Sequence, residues 1–145
     1  MIKLTIWLMI SAASAVFYRM GGSGKYNTKF RDLGCPTCAF LLLVILWKFS
    51  WLMIPAFGLN FGAMTTYWKK KGSDTKWWNW FLHGLVLGIA MFPLIWAGIA
   101  WQVILIRAIL VGSLVALWSE WQGNVVWEEY GRGAIYTATI PLLFC

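Results

Sequence analysis

The chain has 145 residues, 61% of them hydrophobic and only 12% charged, with a mean hydropathy of +0.69 and a formal net charge of +7. A soluble domain this small keeps too much surface to cover that much apolar side chain, and about a quarter of its residues would be charged. Composition therefore excludes an ordinary soluble globule and predicts a single integral membrane domain over residues 1–145.

The charges are segregated. All five acidic residues and nine of the twelve basic ones fall within residues 19–34, 68–80 and 118–133, and the sequence between is almost unbroken apolar. Several of the twelve Trp residues flank these windows, where amphipathic rings favour the headgroup level. The positive charge reads as orientation by basic loops and contact with anionic lipid. Nucleic acid is not an expected partner, because no basic arm or recognition module accompanies the charge.

In chain order, residues 2–18 form a first apolar span. Lys3, the stretch from Leu4 to Ile10, and Ala13-Ser14-Ala15 resemble a signal peptide with its cleavage site, but the reading adopted is a retained first membrane helix. Residues 36–67 carry one charge, Lys48; a single helix there would be about 48 Å long, against a hydrocarbon core of roughly 30 Å. A break is expected at Lys48-Phe49-Ser50-Trp51, giving two short passes or one span and a re-entrant piece. Residues 81–118 are long enough for two spans joined near residues 98–102. Residues 133–145 are too short for a span unless it begins near Val125. The expectation is thus all-α and polytopic, with about four to six membrane segments. Basic windows on one side of a bacterial-type inner membrane place all three windows on the cytoplasmic face.

The first window reads Arg19-Met-Gly-Gly-Ser-Gly-Lys25-Tyr-Asn-Thr28-Lys29-Phe-Arg31-Asp32. Glycines allow several backbone N–H groups to converge on one point, and cationic side chains around them suit a phosphate or carboxylate. Arg19, Gly22, Ser23, Gly24, Lys25, Thr28, Lys29, Arg31 and Asp32 are therefore the candidate anion-binding residues, with Arg132 of the third window. The pattern Gly22-Ser23-Gly24, Thr28, Arg31, Gly34 resembles the Gly-Ser-Gly…Thr…Arg…Gly loop of the membrane-bound acyl-phosphate glycerol-3-phosphate acyltransferases. The resemblance implies phosphate binding by this loop. It needs two one-residue gaps, and that family's other hallmark loops, one with a histidine, have no clear counterpart here.

In the third window Glu128 and Arg132 have ion-pair spacing on a helix, and Glu129 faces elsewhere, able to meet the first window. Glu128 and Glu129 are the candidate acid–base residues. Cys35-Pro36-Thr37-Cys38 is a C-x-x-C at an expected helix start, hence a candidate redox pair. Two cysteines and a distant His83 make an incomplete zinc site, and no cofactor follows from the residues. His83 is expected as a packed imidazole, and Arg107, inside an apolar run, is expected to need a partner, a backbone carbonyl or a lipid phosphate, with Asn60 a polar neighbour candidate. Gly84 and Gly88 permit close helix contact.

Three functions are compatible with these residues. The first is a membrane protein whose cytoplasmic-face pocket binds an anionic, phosphate-bearing lipid or metabolite, with enzymatic chemistry left open. The second is a pore or lysis-type protein working as a homo-oligomer, and the third is a thiol redox protein.

Overall fold

The computed structural model describes residues 1–70 and 76–144, with the backbone path alone for 66–70. Lys69, Lys70, Lys71 and Asp74, which carry most of the charge read as a cytoplasmic turn in residues 68–80, lie outside the described side chains. Six α-helices follow in order: α1 (Ile2–Gly22), α2 (Lys29–Leu46), α3 (Met53–Lys70), α4 (Trp77–Ile89), α5 (Trp101–Trp121) and α6 (Val125–Ala138). A 3₁₀ segment at Phe92–Ala97 extends α4, and another at Ile140–Phe144 follows α6. Three helical stretches are long and apolar enough to cross a membrane: Ile2–Gly22, Trp77–Ala97 and Trp101–Trp121. Each has 21 residues, or about 31 Å at an α-helical rise, matching the hydrocarbon thickness.

The breaks have local causes. Between Ala97 and α5 the chain reverses at Gly98, whose φ of 97° is left-handed and favours a residue without Cβ. The 36–67 stretch breaks at residues 47–52, beside Lys48, and Pro55 then sits in the first turn of α3, where its missing N–H costs nothing. One boundary differs from expectation. Helix α2 begins at Lys29, not at Cys35, and runs through Pro36. The Asn27 side chain accepts from the Lys29 backbone N–H, holding the start of the helix in place of a proline start signal.

Neighbouring helices run antiparallel. On α1 and α6, Trp7 Nε1 donates to the Ala138 carbonyl (3.0 Å), Ser14 donates to the Gly133 carbonyl (2.9 Å), and Arg19 meets Glu129. On α1 and α2, Cys35 Sγ donates to the Ser14 carbonyl, and the first turns of α2 lie against the end of α1. On α4 and α5, Gly84 faces Gly112 and Gly88 faces Ala108; a Cβ on Gly84 would lie 2.6 Å from the Gly112 Cα. That pair of backbones touches because neither helix carries anything larger than the Ala108 methyl at these positions, the small-residue contact of membrane helices. The large buried side chains Leu42, Leu43, Met53, Met64, Leu94 and Ile140 fill the space between α2, α3, α6 and the segment after α4.

This order has a geometric consequence. The end of α1, the start of α2, the start of α4, the end of α5 and the start of α6 share one end of the bundle. Trp77, Trp78, Trp80, Trp118, Trp121 and Trp127 belong to that end; Trp47, Trp51, Trp96 and Trp101 belong to the opposite one. Two aromatic tiers separated by apolar helix are what headgroup layers on both sides of a bilayer select.

Candidate functional site

The polar end is built by charges that face inward from three helices. Glu129, near the start of α6, accepts from Arg19 Nη1 at the end of α1. Gly22 lies directly beneath that carboxylate: any Cβ there would overlap the Glu129 oxygens. Gly21 gives the same clearance to Arg31 of α2. Both glycines are helical, and of the three in the 21–24 run only Gly24 has a positive φ, 70°. In this fold Gly21 and Gly22 admit neighbours, and Gly24 turns the chain toward α2.

Arg31 Nε donates to Asp32 (3.0 Å), and both side chains are buried. Arg132 is held by three groups: Nη2 donates to Glu128 (2.7 Å), Nε donates to Ser119 Oγ on α5 (2.9 Å), and the guanidinium lies 3.4 Å from the centre of the Trp80 ring on α4. The flat face of a guanidinium over indole is a favourable cation–π geometry, and shielding from water strengthens it. Next to this cluster the Tyr18 hydroxyl sits 3.5 Å from His83 Nε2, and the imidazole packs edge-on to Trp80. Sequence reasoning missed Trp80, Ser119 and Tyr18. Their signal is position alone: each projects from a helix end at the level of the charged windows.

The arginines and lysines of the first window divide. Arg19 and Arg31 each hold a carboxylate, whereas Lys25 and Lys29 are exposed and have no carboxylate within 4.0 Å among the described residues. Ser23 Oγ donates to the Met20 carbonyl and accepts from the Lys25 N–H, and Thr28 caps α2 without a side-chain hydrogen bond. Beside Lys29 opens a groove of about 460 Å³ lined by Phe17, Asn27, Lys29, Phe30, Leu33, Gly34 and Thr37. Gly34 sets its floor, since α1's Phe17 ring fills the space a side chain there would need.

Elsewhere the candidates sit in packed surroundings. Cys35 and Cys38 are free thiols, both buried; Cys35 donates to the Ser14 carbonyl. Buried structural cysteines of this kind are chemically inert. No group of three metal-ligating side chains is present among the described residues. Arg107, 1% exposed, lies inside the bundle, where Nε donates to the Thr139 carbonyl (3.2 Å) and Nη2 to the Tyr136 carbonyl (3.0 Å). A cation at the C-terminal end of α6 meets the negative end of its dipole, and it adds a second donor to carbonyls that already accept from the Thr139 hydroxyl and the Leu142 N–H. Its partner is therefore backbone, and Asn60 instead accepts from the Tyr136 hydroxyl.

No protein-family model matches the chain, and no curated protein or solved structure is significantly similar to it. The likeness to the acyltransferase loop rests on residues 22–34 alone.

Proposed function

We propose that the protein is a multi-pass membrane protein that binds an anionic, phosphate-bearing lipid or metabolite at its polar end, through Lys25 and Lys29. The observation that supports this reading is the division of cations in the first window. Its arginines are committed to Asp32 and Glu129 inside the bundle, while its two lysines face outward with no acid beside them among the described residues. Compact ammonium groups on a short loop suit a phosphate as point charges, and their stems reach along apolar surface. The excess of Lys and Arg at this end orients it toward the cytoplasm of an inner-type membrane, with α2, α3 and α6 adding shorter passes beside the three long helices.

In this reading Arg19, Arg31, Asp32, Glu128, Glu129 and Arg132 are a scaffold: Arg19–Glu129 ties α1 to α6, Arg132 ties α6 to α5 and α4 through Ser119 and Trp80, and Arg31–Asp32 and Glu128–Arg132 pair within their own helices. Glu128 and Glu129 each carry an arginine, so neither is offered to a ligand as a base. The pore reading gains little from Arg107, whose Nε and Nη2 donate to carbonyls at the end of α6 of the same chain and whose Nη1 is buried without a hydrogen-bond partner among the described residues.

The test is binding of glycerol phosphate to purified protein in detergent, followed by phosphorus NMR line broadening. The variant Lys25→Gln/Lys29→Gln is expected to weaken binding at least tenfold while its thermal unfolding is unchanged. Affinity equal to that of the unmodified chain would remove the proposed site.

A further inference from the structure

Beyond Thr37 the groove beside Lys29 is followed by further open space. A second hollow, of about 270 Å³, is lined by Thr37, Phe40, Ile54 and Phe57, so the two share Thr37 and lie one after the other along α2, an apolar track in two segments. From Lys29 to Phe40 the track descends about 16 Å at the α-helical rise, roughly half of a 30 Å hydrocarbon core. It begins at a cation on the polar end and runs toward the middle of the bundle. Its walls are aromatic and aliphatic: Phe17 and Phe30 above, Leu33 and Thr37 between, Phe40 and Phe57 below.

We infer that this track holds one acyl chain of an anionic phospholipid from the leaflet on the polar side, with its phosphate on Lys29 and Lys25. The inference rests on the binding site proposed above and names its ligand class. Three features select this occupant. The depth is that of one leaflet, and so of one chain. The open side of the track faces the surroundings of the bundle, because Leu33 is 48% and Phe30 41% exposed. The charge sits at one end only, matching a ligand with an anionic head and an apolar tail. A soluble phosphate compound would use the lysines and leave the aromatic track empty, whereas a zwitterionic lipid would bring its own cation to two lysines.

The step is binding alone and requires no covalent chemistry. Its test is native mass spectrometry of the protein released from nanodiscs containing equal amounts of phosphatidylglycerol and phosphatidylcholine. The unmodified chain is expected to retain one phosphatidylglycerol and no phosphatidylcholine. Thr37→Trp, which fills the junction of the two hollows, and Leu33→Trp, which fills the upper one from an exposed position, should each cut retention at least fivefold. Thr37→Val, which leaves the track open, should retain lipid as before. Glycerol phosphate binding should survive both Trp variants and fail in Lys25→Gln/Lys29→Gln.

The outcomes separate the two claims. Full lipid retention in both Trp variants, or glycerol phosphate binding without any retained lipid, overturns the acyl-chain inference and leaves the phosphate site standing. Full retention in the double lysine variant, or equal retention of phosphatidylcholine, overturns the phosphate site itself.

Discussion

Arg107 is held by backbone carbonyls, which are among the partners its place in an apolar run leads one to expect; only their location is illegible in sequence. The sequence showed that a cation lay inside an apolar run, and the price of such burial implied a partner. Its partners are the Tyr136 and Thr139 carbonyls at the close of another helix, and backbone carbonyls leave no mark in sequence. The pairing of Glu128 with Arg132 was legible, because four-residue spacing on a helix brings such side chains together without knowledge of anything else. Replacing Arg107 with Met tests what the cap contributes. Each carbonyl keeps another donor, the Thr139 hydroxyl at Tyr136 and the Leu142 N–H at Thr139, so neither is orphaned outright. Loss of the cap is expected to destabilise by about 1–2 kcal/mol, read by thermal unfolding in detergent. Stability that is unchanged or higher would mean that the desolvation of the guanidinium outweighs its hydrogen bonds.

Among the elements, the helical breaks near residues 47–52 and 98–100 were readable from length alone, since hydrocarbon thickness caps how far an apolar helix can run straight. The start of α2 was not. Proline is a favoured first-turn residue, and that preference outweighed the weaker Asn27 signal at the true start. Gly84-x-x-x-Gly88 and Gly58-x-x-x-Gly62 look alike in sequence but differ in the fold. The first pair touches α5 backbone, while Gly58 and Gly62 have nothing within 4 Å of where a Cβ would be. Gly84→Leu should therefore push α4 from α5 and cost about 3 kcal/mol or more, as overpacking does. Gly58→Ala should be neutral or stabilising by up to about 1 kcal/mol through helix propensity. Detergent unfolding of the two variants distinguishes them, and similar losses in both would contradict the packing described.

At the scale of the whole molecule, membrane character was legible from composition, and the shared end of the charged windows follows from the antiparallel helix order. Pairings between windows were less accessible, because Arg19 and Glu129 are separated by 110 positions and only the docking of α6 on α1 brings them into contact. The arrangement fixes which positions share a compartment. In a background with the native cysteines replaced by serine, single cysteines at Asn27 and Glu120 should react with an impermeant maleimide from one side of sealed vesicles. A cysteine at Lys48 should react only from the other. Labelling of residues 27 and 120 from different sides would refute the arrangement of the bundle.

The hydroxyls of Ser14 and Thr137, 2.6 Å apart, join α1 to a helix synthesised 123 positions later. Until α6 leaves the ribosome, α1 must wait in lipid with Ser14 and Arg19 lacking Thr137 and Glu129. A nascent chain that stalls before residue 125 thus displays a polar seam to hydrocarbon, a mark by which membrane quality-control proteases could sort unfinished copies from completed ones.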